Sequence, residues 1–217
     1  MNNETYFHEL DTRITQINIL RKQCSTLAQG FIGENLLKED FFFCASLDRC
    51  VQLSDGFIIL LQQRNLTCVG AMLRLQLDNC MRTYAPFIAK NKDFVIDCII
   101  NGEKLANQKD MEGNKLTDFN LKNKMAKFSE SFPKVYDQAS GFIHLSHKAF
   151  YQTVSDISNG SISCQIGYPL QERYNPNLLE AADAFIHFTK LYYNFLFEII
   201  DAKKHFDEIY EDKRYQK

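Results

Sequence analysis

Apolar residues recur at steps of three and four near the start of the chain: Tyr6, Leu10, Ile14, Ile17, Leu20, Cys24 and Leu27. This spacing places them on one face of an α-helix. Similar spacing predicts further helices over residues 38–63, 66–84, 92–107, 117–131, 133–151 and 175–212. Four prolines and nine glycines in 217 residues are few for an all-β chain, which needs many turns. The sequence therefore predicts an all-α fold, an up-and-down bundle of five to seven helices in a single domain spanning residues 1–217.

The spacing of apolar residues changes after Tyr151. Two short apolar segments, residues 154–157 and 162–166, flank Asn159 and Gly160, and this dipeptide favours a two-residue β-turn. We therefore expect a small β-hairpin near residues 154–167. The polar run from residue 107 to residue 114 is typical of a mobile loop.

Charge and composition restrict the classes of function. The chain has a net charge of −2 and a pI of about 6.2. A protein that binds nucleic acid non-specifically usually has a strong basic excess instead. The sequence has no uninterrupted apolar run of the length that spans a membrane. Seven scattered cysteines without a C-x-x-C pair, and an N-terminus without a signal-peptide pattern, indicate a cytoplasmic protein without a zinc site. We expect no cofactor.

A polar stripe follows the apolar face of the expected helix at residues 133–151: Tyr136, Ser140, His144, His147 and Tyr151. Such a stripe fits three interpretations. It can be a hydrogen-bonded seam between two helices, or it can perform acid–base chemistry or bind an anion, for which the pKa of histidine is suited. It can also hold a metal, but a dimetal bundle uses Glu-x-x-His motifs, and this chain has none.

A second polar pair lies on the third expected helix, where Arg74 and Asp78 are four residues apart at the edge of an apolar face. An exposed pair at this spacing is a minor stabilising contact. A partly buried arginine destabilises the fold unless it has partners, so the pair belongs either to a structural network or to a functional site.

These two segments carry a resemblance. R-L-x-L-D at Arg74–Asp78 and Y-x-x-x-S-x-x-x-H-x-S at Tyr136–Ser146, followed by a hairpin and a long last helix, resemble HEPN-like bacterial helical proteins. The resemblance covers a core at about residues 40–205, and residues 1–30 form a preceding N-terminal helix. The family includes metal-independent ribonucleases of toxin–antitoxin and phage-defence systems, and also non-catalytic binding proteins. It implies a homodimer for either function.

The chain departs from the ribonuclease pattern, which has an arginine four to six residues before the last histidine. No arginine precedes His144 or His147 at those positions. If the chain cleaves RNA, Arg74 must supply the cation, with His144 and His147 as the base and the acid. Tyr136 and Ser140 would donate hydrogen bonds to the substrate, and Asp78 would orient Arg74 or a histidine.

The alternative function is a non-catalytic helical module that dimerises or binds a protein partner through the same seam. The position of Arg74 distinguishes the two. A ribonuclease requires Arg74 and His144 to approach each other at an open cleft, whereas a binding module can seal them inside the bundle.

Overall fold

The computed structural model describes residues 3–32, 36–144, 146–158, 160–167 and 170–215, without the side chains of residues 148, 149 and 206–215. The described residues form eight α-helices: α1 (Asn3–Phe31), α2 (Lys38–Gln62), α3 (Leu66–Ile88), α4 (Lys92–Ile100), α5 (Asp118–Lys124), α6 (Phe132–Ser140), α7 (His147–Thr153) and α8 (Asn175–Tyr215). Strands β1 (Val154–Ser158) and β2 (Ser161–Cys164) pair as an antiparallel hairpin. The predicted all-α bundle with a small hairpin is confirmed.

The four long helices α1, α2, α3 and α8 form the body of the molecule. The first three alternate in direction, as expected for an up-and-down bundle. The last helix instead runs parallel to α1: Asn3 bonds Glu172 at one end, and Lys203 donates to the carbonyl of Phe31 at the other, at 2.7 Å in both cases. The small elements between residues 89 and 174 make the crossover that allows this parallel arrangement.

Buried apolar faces of the long helices meet in one core. Every residue of the repeat that predicted α1 is buried, which explains why that segment forms a long helix. The core also contains stacked rings of Phe57 and Phe185, whose centroids lie 4.1 Å apart. Among the described residues, no helix has both the length and the hydropathy needed to cross a membrane.

Several helix ends differ from the sequence prediction. Helix α3 continues through Pro86 to Ile88, because burial of the neighbouring Ala85 and Ile88 offsets the hydrogen bond that proline cannot donate. Residues 101–107 and 125–131 lie outside α-helices, each with a short 3₁₀ turn. The segment 133–151 forms two helices rather than one, which raises the number of helices from the seven expected segments to eight.

The polar run at residues 107–114 is an ordered turn, contrary to the expectation of a mobile loop. Asp110 is buried at its centre and accepts hydrogen bonds from the backbone amides of Glu112 at 3.0 Å and Asn114 at 2.8 Å. Lys124 lies 3.0 Å from the other carboxylate oxygen. One aspartate therefore satisfies the amides that a flexible loop would leave to water.

The hairpin lies on the surface. Ile157 pairs with Ile162 across the two strands, and Gly160 adopts a left-handed φ of 74° in the turn. Asn159, the other residue of the expected turn, lies outside the described residues. Ile157, Ile162 and the following Ile166 are 60%, 57% and 86% exposed, so the hairpin presents apolar side chains to solvent.

Candidate functional site

Arg74 occupies the interface between α3 and α6 and is only 8% exposed. Its Nε donates to Ser140 Oγ at 3.0 Å, and its Nη2 donates to Tyr136 Oη. The guanidinium carbon also lies 3.5 Å from the centroid of the Tyr136 ring. The structure therefore brings together three of the residues that the sequence proposed, Arg74, Tyr136 and Ser140.

Carboxylates complete this cluster. Arg74 Nη1 forms an ion pair with Asp78 one turn along α3, and Nη2 lies 3.9 Å from Asp118. Asp118 also accepts a hydrogen bond of 3.2 Å from Arg82. Two guanidinium groups and two carboxylates thus balance each other, and we call Arg74, Asp78, Tyr136, Ser140 and Asp118 the Arg74 network.

Burial dominates the electrostatics of Asp78. It raises the pKa of this carboxyl, although the positive charge of Arg74 acts in the opposite direction. The Oδ1 of Asp78 and the Nη1 of Arg74 are buried without a hydrogen-bond partner among the described residues, even though the two groups form an ion pair. Such a pair depends on both members, because removal of one leaves the other charge buried and uncompensated.

Both histidines lie outside this network. Helix α6 ends at Ser140, residues 141–144 form a turn, and α7 begins at His147, so the predicted continuous polar stripe is wrong. His144 and His147 are exposed. Among the described residues, no hydrogen bond links either histidine to Arg74. Their catalytic roles stay predictions.

A close contact between Gly70 and Phe142 positions the turn that carries His144. A Cβ added at Gly70 would lie 2.3 Å from Phe142 Cγ, so only glycine admits this ring beside α3. The turn is held again at Gly141, whose carbonyl accepts a hydrogen bond of 2.6 Å from Ser146 Oγ. These contacts explain the break in the helix, since the Phe142 ring gains burial against α3 and Ser146 replaces a lost helical donor.

One member of the network borders a cavity. Asp78 lines a cavity of about 340 Å³ together with Arg49 and Arg82, and Arg74 is not among the residues that line it. The surface therefore reaches the carboxylate side of the network, whereas the guanidinium faces α6.

A larger cleft of about 640 Å³, which the sequence pattern does not predict, lies elsewhere on the bundle. Aromatic rings from four separate segments line it: Phe43, Tyr84, Phe87, Phe128 and Phe195. We call it the aromatic cleft. Two of its rings, Phe87 and Phe128, are each 41% exposed. In the sequence, these two residues lie at or beyond the ends of their apolar repeats. That position is compatible with surface exposure, but it does not predict that the two rings lie close together.

The fold and the site together define a class of protein: an α-helical bundle with a buried arginine network between two helices and an aromatic cleft on its surface. No protein-family model, no curated protein and no solved structure matches this chain. The likeness to HEPN-like proteins therefore rests on the residues that carry it.

Proposed function

We propose that this chain is a non-catalytic helical binding module and not a ribonuclease. One observation carries the proposal: the buried guanidinium of Arg74 already donates hydrogen bonds to Ser140 and Tyr136 through Nε and Nη2, and its Nη1 forms an ion pair with Asp78. A catalytic cation must direct N–H groups toward the phosphate on which charge develops. Arg74 directs its N–H groups toward α6 and its own helix.

The cost of freeing Arg74 supports the same proposal. Phosphate binding at this guanidinium would displace the Tyr136 and Ser140 hydroxyls and weaken the pairing of Asp78. Asp78 is partly buried, and an uncompensated buried charge typically costs about 3–5 kcal/mol. The arrangement therefore favours a structural network over a substrate site.

An RNA-cleavage assay tests this part of the proposal. Wild type is incubated with defined RNAs in the presence of a chelator, beside His144→Ala and His147→Ala. His8→Ala is the matched control, because His8 is an exposed histidine on α1. We expect no cleavage above the protein-free blank. Cleavage by wild type and by His8→Ala that is absent from His144→Ala would overturn the proposal and support a ribonuclease.

We further propose that the module is a homodimer, as the HEPN-like resemblance implies, and that the hairpin mediates the contact. Strand β2 pairs only with β1 among the described residues, and its sequence, Ser161–Cys164, has no charge. Exposed strand edges are usually protected by charged side chains. An uncharged edge beside exposed isoleucines is typical of an interaction surface.

Sedimentation of wild type and of the double variant Ile157→Lys/Ile162→Lys tests the dimer. We expect a concentration-dependent dimer in wild type and a monomer in the variant, because one lysine on β2 of each copy would meet at the pairing edge, with another on β1 beside it. Ile59→Lys is the control, since Ile59 is 58% exposed on α2, away from the hairpin in sequence. A monomeric wild type, or equal association of wild type and double variant, would contradict this contact.

A further inference from the structure

The aromatic cleft has the size and the lining of a small-molecule site. Its volume of about 640 Å³ falls within the range of about 300–1,000 Å³ that is usual for ligand pockets. The rings are in mutual contact: the centroids of Phe128 and Phe195 lie 4.7 Å apart, and those of Tyr84 and Phe195 lie 5.4 Å apart. Preformed ring surfaces of this kind accept another aromatic ring by stacking or edge contact.

Six charged residues also line the cleft, and four of them are already paired. Lys92 bonds Glu39 at 2.8 Å, and Lys203 bonds Asp40 at 2.5 Å. Asp40 also accepts a hydrogen bond from the backbone amide of Leu37, and Lys203 also donates to the carbonyl of Phe31. These two ion pairs hold the ends of α1, α2, α4 and α8 together and leave little capacity for a ligand.

The other two charges, Lys127 and Glu198, have opposite sign. Lys127 is exposed, and its ammonium lies 5.0 Å from the centroid of the Tyr84 ring and 4.7 Å from that of Phe128. Glu198 is exposed on α8, three residues after Phe195, which places both on one side of the helix. Neither residue forms an ion pair with another described residue. Both charges therefore stand beside the Phe128–Phe195 ring pair and are available to a ligand.

We propose that the aromatic cleft binds a small aromatic zwitterion, an amino acid with an aromatic side chain. The ring of the ligand packs on Phe128 and Phe195, its carboxylate meets Lys127, and its ammonium meets Glu198. This inference rests on the proposed function, since it names the ligand of a binding module. Charge complementarity selects this class: a simple anion would be repelled by Glu198, and a simple cation would be repelled by Lys127.

The absence of tryptophan from the chain makes a direct measurement available. Free L-tryptophan, excited where tyrosine does not absorb, reports its own transfer from water into the cleft. Titration of the protein into L-tryptophan should shift the emission to shorter wavelength and saturate. An unchanged spectrum at every protein concentration, with a protein folded by circular dichroism, would overturn the proposal.

Two charge variants and two analogues that each carry a single charge test which residue binds the carboxylate of the ligand and which binds its ammonium. Lys127→Gln should weaken the binding of L-tryptophan and of indole-3-propionate by about tenfold, the equivalent of one charged hydrogen bond. It should not weaken the binding of tryptamine. Glu198→Gln should weaken the binding of L-tryptophan and of tryptamine by a similar factor. It should not weaken the binding of indole-3-propionate. Equal affinities in wild type and both variants, or the opposite pairing of variant and analogue, would overturn the proposal.

The controls separate this inference from the proposed function. Lys22→Gln on α1 and Glu180→Gln on α8 remove exposed charges of the same type that do not line the cleft, and both should bind L-tryptophan as wild type does. Wild type is assayed for RNA cleavage in parallel. Lack of ligand binding without RNA cleavage refutes only the ligand, whereas His144-dependent cleavage refutes the non-catalytic module itself.

Discussion

Replacement of Gly70 by alanine tests the contact that positions the turn at residues 141–144. Gly70 lies within α3, and an added Cβ would lie 2.3 Å from both Cγ and Cδ2 of Phe142 and 2.9 Å from its Cβ. Because the clash includes the Cβ of Phe142, rotation of the ring alone cannot relieve it. Either the turn or α3 has to move.

Two opposing effects set the magnitude. Alanine is favoured over glycine inside a helix by about 0.5–1 kcal/mol. Overpacking typically costs about 1–3 kcal/mol, and the backbone-proximal clash places Gly70→Ala in the upper part of that range. We therefore expect a net decrease of about 1–2 kcal/mol in the free energy of unfolding.

Gly56→Ala is the matched control. Gly56 lies within α2, and an added Cβ would meet only the flexible side chain of Met72, whose terminal Cε would lie at 2.6 Å. We expect no change or a gain of up to about 1 kcal/mol from helix propensity. Urea unfolding followed by circular dichroism measures both variants. Equal unfolding free energies for Gly70→Ala and Gly56→Ala would refute the argument from the Phe142 contact.

Three further predictions concern the Arg74 network and the thiols. Arg74→Met should lower the free energy of unfolding by about 3 kcal/mol, because Asp78 loses its counter-charge, and Arg74→Met/Asp78→Leu should recover most of the loss in urea unfolding. If the stability loss came only from the missing contact with Tyr136, the double variant would not recover it. Burial raises the pKa of Asp78 in the folded state, so its contribution is most favourable below the unfolded-state pKa and declines as pH rises through the folded-state pKa. Unfolding free energies of wild type relative to Asp78→Asn, measured from acidic to neutral pH, should therefore fall across that interval, and a rising difference would contradict the shift. Cys164 is exposed, whereas burial raises the pKa of the Cys80 thiol. A thiol reagent should therefore modify the native protein first at Cys164, and Cys164→Ser should abolish the fastest phase of the modification reaction. Persistence of that phase would refute the assignment.

The long helices were predictable because their buried residues themselves carry the helical period. Arg74, Tyr136 and Ser140 were also predictable as neighbours, since each lies at the edge of an apolar face and two such edges meet where α3 packs on α6. The break between α6 and α7 was not predictable. Apolar and polar spacing continues through it, and the contact that stabilises the break joins Phe142 to a glycine 72 residues earlier.

The aromatic cleft was beyond sequence reasoning for a similar reason. Phe43 and Phe195 continue the buried faces of their helices, and Phe128 follows a short 3₁₀ turn that the pattern predicted as helix. Only the packing of α2, α3 and α8 brings these rings to one place. That Lys127 and Glu198 form no ion pair with another described residue likewise depends on which other charges lie nearby.

The parallel pairing of α1 with α8 has a consequence for synthesis on the ribosome. Contacts such as Arg13 with Asp183 and Cys24 with Tyr193 join residues 170 and 169 positions apart. A nascent chain that has reached the hairpin has already produced the apolar face of α1, but the helix that covers this face has not been translated. Loop closure over such a separation is slow, and exposed apolar faces promote aggregation. We therefore expect fragments that stop before residue 175 to occupy chaperones, whereas chains that extend through α8 acquire protease resistance.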